Sequence, residues 1–84
     1  MTIKEFFAKH NIVPGAVITL DEFTKVIDDA EETFGMGGGF VMDCFVPEGE
    51  AVAPGYEDSL SHHRFEPDNW DTLNEEWQMF LAGH

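Results

Sequence analysis

The stretch "TLDEFTKVIDDAEETFG" at Thr19 to Gly35 decides the fold, because it reads as one uninterrupted amphipathic helix with both ends marked. At about 100° per residue, Leu20, Phe23, Val26, Ile27, Ala30 and Phe34 share an arc of roughly 120°, while Asp21, Glu22, Asp28, Asp29 and Glu32 occupy the opposite arc. Thr19 is a capping residue with Glu22 three positions on, and Gly35 is the residue type that closes helices. A helix with one apolar face cannot stand alone, so the rest of the chain must supply what covers it.

Two further stretches repeat the start signal: "TIKEF" at Thr2 to Phe6 and "TLNEE" at Thr72 to Glu76. The first continues with Ile3, Phe6, Phe7 and His10 at helical spacing, supported by Glu5 and Lys9 four apart, and is ended by Asn11 and Pro14-Gly15. The last continues with Leu73, Trp77, Phe80 and Leu81 on one face and leaves Met79 on the outer side. The three copies share no register beyond the first turn, so they mark helix starts and not an internal repeat.

Between these helices, "GMGGG" at Gly35 to Gly39 follows a helix and precedes an extended run, the reverse of a phosphate-cradling loop, and reads as a connection. "FVMDCFV" at Phe40 to Val46 alternates like a strand, with Cys44 on the side of Phe40, Met42 and Val46. Periodicity disappears from Pro47 to Pro67, which leaves "SHHRFE" at Ser61 to Glu66, "AVIT" at Ala16 to Thr19, or both, as strand partners. The expected fold is α+β: residues 1–84 form a single small domain. Its three amphipathic helices, about 3–10, 20–34 and 72–82, pack on a small antiparallel sheet that pairs about 40–46 with 61–66 and takes 16–19 as a candidate third strand.

Seventeen acids against four Lys/Arg give a formal net charge of −13. Residues 1–25 sum to zero, so residues 26–84, with Arg64 as their one base, carry all of it. A field of this sign repels nucleic acid and anionic membranes and accelerates association with a basic partner. Adaptation to a salty cytoplasm is a competing source of such charge. Eleven aromatic residues, eight of them Phe, weigh mildly against that source and supply the core that a disordered acidic chain lacks. The single Cys44 excludes an intramolecular disulfide and fits a reducing compartment. Without an apolar run of membrane-spanning length or a signal-peptide pattern, the expected location is the cytoplasm, or a host cytoplasm if the gene is phage-encoded.

Acids near helix N-termini have a structural reason to be there, which accounts for Glu5, Asp21, Glu22, Glu75 and Glu76. Asp28, Asp29, Glu31 and Glu32 lie toward a C-terminus, where the dipole opposes them, and their like-charge pairs cost roughly 0.2–0.5 kcal/mol each. Asp28 and Glu32 stand about 6 Å apart along the axis, a spacing at which carboxylates can occupy positions that a basic groove offers to phosphates. With Glu48, Glu50, Glu57 and Asp58 from the acidic loop, and with Tyr56, Met79 and Trp70 as apolar anchors, these are the candidate partner-binding residues.

Candidate chemistry is sparse. His62, His63, Glu66, Asp68, His84 and Cys44 match no zinc or calcium spacing, so neither a metal nor another cofactor is expected. Cys44 with a histidine is the only nucleophilic pairing, and a strand places its thiol inward as a small hydrophobe. No enzyme activity is expected.

In size, charge and aromatic content the chain resembles the small acidic inhibitors of phages and mobile elements that act as DNA mimics: anti-CRISPR, anti-restriction and uracil-glycosylase inhibitor proteins. The resemblance is one of composition over the whole chain and carries no motif. It implies an inhibitor that occupies the nucleic-acid site of a basic nucleic-acid-binding protein, with no direct contact to nucleic acid or membrane and with a homodimer allowed. The alternatives are an immunity or antitoxin protein that neutralises a basic nuclease, and a non-inhibitory acidic interaction subunit.

Overall fold

The computed structural model describes residues 1–52 and 60–83. Its elements run α1 (Ile3–Lys9), β1 (Val17–Thr19), α2 (Leu20–Phe34), α3 (Gly38–Asp43), β2 (Phe45–Ala51), β3 (Leu60–Phe65) and α4 (Leu73–Ala82). The α+β architecture and the single antiparallel sheet agree with the sequence reading, and α2 spans the residues expected of it. Among the described residues four helices replace the expected three.

Two of the three threonine starts are reciprocal caps. Thr2 Oγ1 accepts the Glu5 N–H at 3.1 Å while Glu5 accepts the Thr2 N–H at 3.0 Å, and Thr19 with Glu22 repeats the arrangement at 3.2 and 3.4 Å. Each box satisfies two N–H groups that a helix start leaves open. Thr72 departs from the pattern. Its backbone, at φ −104° and ψ 5°, is not extended, and its hydroxyl donates instead to Glu76 at 3.2 Å. Asn69 Oδ1 takes the Asp71 and Thr72 N–H groups at 3.1 and 3.3 Å, so Glu75 has no capping partner. Asn74, on the first turn of α4, also accepts the Ile3 N–H at 3.2 Å and ties the two terminal helices together.

The strand expected at 40–46 is displaced. Residues Gly38–Asp43 form α3, and the strand begins only at Phe45. Over so short a run both periods fit: Phe40 and Met42 alternate, but Val41 with Cys44 and Phe45 also satisfies helical spacing, and Val41, Cys44 and Phe45 are the buried ones. Two local features favour the helix. Gly37, at φ 99°, turns the chain out of α2. Glu31 then accepts the Gly38 N–H at 2.8 Å, which satisfies an open donor at the new helix start. Cys44 is accordingly a helix C-cap whose thiol donates to the Phe40 carbonyl at 3.4 Å, not an inward strand residue.

Strand β2 instead occupies "FVPEGEA", whose Pro and Gly read as breakers. An edge strand absorbs both. In the sheet order β1-β3-β2, the Glu66 N–H bonds the Cys44 carbonyl at 2.8 Å, so Val46 and Glu48 also face β3 and Pro47 points its nitrogen outward. The open edge thereby lacks a donor at its centre, which blunts pairing with another chain. Gly49, at φ 90°, sits in the irregularity between Glu48 and Ala51, where an added Cβ would strike Ser61 Oγ.

The helices lie on one face of the sheet. Phe45, Phe65, His63 and Ile18 point toward them, and Phe7 of α1 and Phe23 of α2 pack on that layer. A second aromatic group, Phe6, Phe34, Phe40, Trp77 and Phe80, joins α1, α2, α3 and α4 behind it. Phe6 and Phe7, 5.5 Å apart, connect the two groups into one core. The other face of the sheet carries Val17, Thr19, Val46, Glu48, His62 and Arg64, with no helix of the described residues over it.

Candidate functional site

Among the described residues there is no enclosed pocket, and no three His, Cys, Asp or Glu side chains converge where a metal ion could sit. Cys44 is buried, and desolvation together with Asp43, Glu76 and Asp68 pushes its thiol up to about 12, so it carries no thiolate at neutral pH. His62 and His63 point to opposite faces of β3, which separates the pair. His62 Nδ1 lies 2.9 Å from Ser61 Oγ, but that oxygen also accepts the Glu50 N–H at 3.2 Å and serves the β2 irregularity. His84 lies outside the described residues.

The surface acids divide by what they touch. Asp29, expected to stand on the acidic face, turns toward α1: its Oδ2 accepts Lys9 Nζ at 3.0 Å and His10 Nε2 at 2.7 Å, while Oδ1 accepts the Thr33 hydroxyl at 3.3 Å. Those two bonds, Lys9 first, hold its carboxyl below the usual aspartate range. Glu31 is engaged with Gly38, and Glu48 accepts Arg64 Nε at 2.8 Å and Nη2 at 2.7 Å. Arg64 also reaches Glu66 at 3.8 Å. Asp29, Glu31 and Glu48 therefore each have a structural role that spacing within one segment does not reveal.

Asp28 and Glu32 remain exposed on α2 without a hydrogen bond or ion pair among the described residues. They share a stripe with Asp21 and with Lys25, so a base interrupts the acidic face, a feature that the reading of arcs overlooked. Glu50 is exposed on β2, and Asp43, Asp68, Asp71 and Glu75 are likewise exposed without partners among the described residues. Of the apolar anchors, Met79 is 74% exposed, whereas Trp70 is half-buried against Phe65, with Lys4 Nζ 4.9 Å above its ring. Tyr56, Glu57 and Asp58 lie outside the described residues.

These residues do not form one surface. Asp28 and Glu32 project from the outer side of α2, which packs on the inner face of the sheet, while Glu48 projects from the opposite face. That opposite face was not foreseen, because the misplaced strand hid it. There Val17, Arg64 and Val46 stand in one register row, and each valine is 45% exposed.

The Asp29 cluster yields a modest prediction. Asp29→Asn should lower stability at pH 7 by about 1 kcal/mol or less, since the ion pairs it makes are partly solvated. The carboxyl has a lower pKa folded than unfolded, so its contribution is complete above the unfolded value of about 4 and is lost as pH falls through the folded one. Urea midpoints of parent and variant should differ at pH 7 and converge in strong acid.

Comparison with protein-family models, with curated proteins and with solved structures yields no match. Among the described residues no helix is long and apolar enough to cross a membrane.

Proposed function

We propose that this chain is a small acidic binding protein that inhibits a basic nucleic-acid-binding or nucleic-acid-processing protein by occupying the site where nucleic acid sits. One observation carries the reading: three of the four basic side chains are engaged internally, Lys9 with Asp29, Arg64 with Glu48 and Lys4 with the Trp70 ring. The exposed acids that remain have almost no base left to answer them. A surface of this sign draws a cationic groove at long range and releases the ions that phosphate would have displaced. The inhibitor then competes with nucleic acid and need not perform chemistry, which suits a chain with no enclosed pocket among its described residues.

The α2 stripe is the preferred contact despite the Lys25 within it, because Asp28 and Glu32 make no hydrogen bond or ion pair among the described residues and Glu32 lies in the last turn, where the helix dipole disfavours it. Replacing both with lysine should leave folding intact. It should slow association with a basic partner by about tenfold or more at low salt, with the difference shrinking as salt is raised. The test is retention of nucleic-acid-processing proteins from lysate by the parent and by Asp28→Lys/Glu32→Lys, with and without competing duplex DNA. Equal retention by both, unaffected by salt or DNA, would sink the proposal.

A further inference from the structure

Among the described residues His63 is the one buried polar side chain, 3% exposed, and its Nδ1 has no hydrogen-bond partner there. Its ring lies flat on Phe23, with centroids 3.7 Å apart and planes 3° apart. A neutral imidazole is well placed there as an aromatic slab. Among the described residues a protonated one has no hydrogen-bonded counter-charge. The register neighbours are Ile18 of β1 and Pro47 of β2, and α2 contributes Phe23. The titratable neighbour on its own strand is His62, whose positive charge would oppose a second one beside it. Glu48 and Arg64, which point to the other face of the sheet, are bound to each other. Asp29 and His10 form a separate contact between α1 and α2.

We propose that His63 is an acid-sensitive latch: the neutral imidazole, stacked on Phe23 in the seam between β3 and α2, holds that helix to the sheet, and protonation releases it. Burial and His62 both hold the ring's proton affinity below that of a free histidine, in agreement with the geometry. The folded pKa is thus the depressed one, so the latch is complete above the unfolded value of about 6.5 and its contribution is lost as pH falls from there through the folded value. Because α2 also carries Asp28 and Glu32, acid loosens the support of the acidic stripe together with the latch. The latch does not depend on the identity of any partner.

The test compares urea unfolding of the full chain at pH 7.5 and pH 5.5 for the parent, His63→Phe and His62→Gln. His63→Phe keeps an aromatic slab and removes the titrating group, so between these two pH values the parent should lose up to about tenfold in its folding equilibrium constant relative to this variant, the ceiling set by protonation of the unfolded chain. His62→Gln keeps the titrating His63 ring and should lose most of what the parent loses, the shortfall being the share of the depression that His62 supplies. A parent and His63→Phe with the same pH dependence would overturn the latch. In the parent alone, the His63 ring proton resonances should report protonation below the ordinary histidine value of about 6.5. Protonation at or above that value in a protein that stays folded would also overturn it, even if His63→Phe does not fold.

Discussion

Truncating Trp77 to alanine lowers stability by about 3–5 kcal/mol, the range for removal of a fully buried large aromatic. Trp77 is 1% exposed and holds three elements at once: its ring centroid lies 4.9 Å from that of Phe34 on α2, 5.1 Å from Phe40 on α3 and 5.6 Å from Phe80 on its own helix. Phe34 and Phe40 are anchored on other helices, which limits how far they can relax into the space. A domain of 84 residues has on the order of 4–13 kcal/mol in total, so the variant approaches the limit of folding at 25 °C. Chemical unfolding followed by Trp70 fluorescence reads the loss directly, because Trp70 is the remaining tryptophan.

The second large effect is Gly37→Ala, expected to cost about 2–5 kcal/mol. Gly37 has φ 99°, a conformation that costs an L-residue roughly 1–2 kcal/mol. A Cβ there would strike the Trp77 ring at Cη2 and Cζ3, which adds overpacking of about 1–3 kcal/mol. The two changes share one contact and must not be additive. In the Trp77→Ala background the collision disappears, so Gly37→Ala should then cost only the backbone share, about 1–2 kcal/mol. Full additivity in the double-mutant cycle would show that the glycine is required for its backbone alone.

Much of this fold was legible in local periodicity. The limits of α2 follow from its apolar arc, its threonine cap and Gly35, which indeed adopts φ 77° and closes the helix onto the Glu31 carbonyl at 2.8 Å. Local periodicity fails where two periods fit the same short run: "FVMDCFV" alternates like a strand, yet its first four residues complete a helix. It fails again where Pro47 and Gly49 look like breakers, because a strand at the edge of a sheet tolerates both and a central strand does not. The third threonine start failed for a conformational reason, since an N-cap needs extended backbone and Thr72 does not have it.

The candidate site shows the same division. Net charge, its concentration after residue 25, and the exposure of Asp28, Glu32 and Met79 follow from composition and helical phase, which are properties of one segment at a time. Which acids are free is a different matter. Asp29 meets Lys9 20 residues away, Glu31 meets Gly38 across the turn after α2, and Glu48 meets Arg64 16 residues away. Each pairing requires that two elements be packed first, so only the tertiary structure could decide it. The same holds for His63, a polar residue on a short strand whose burial against Phe23 depends on α2 crossing that face of the sheet. Taken by itself, then, the sequence determined that an acidic helix would stand on an aromatic core. The assembled fold determined which of its carboxylates are left facing solvent, because a charge is neutralised by what lies next to it in space.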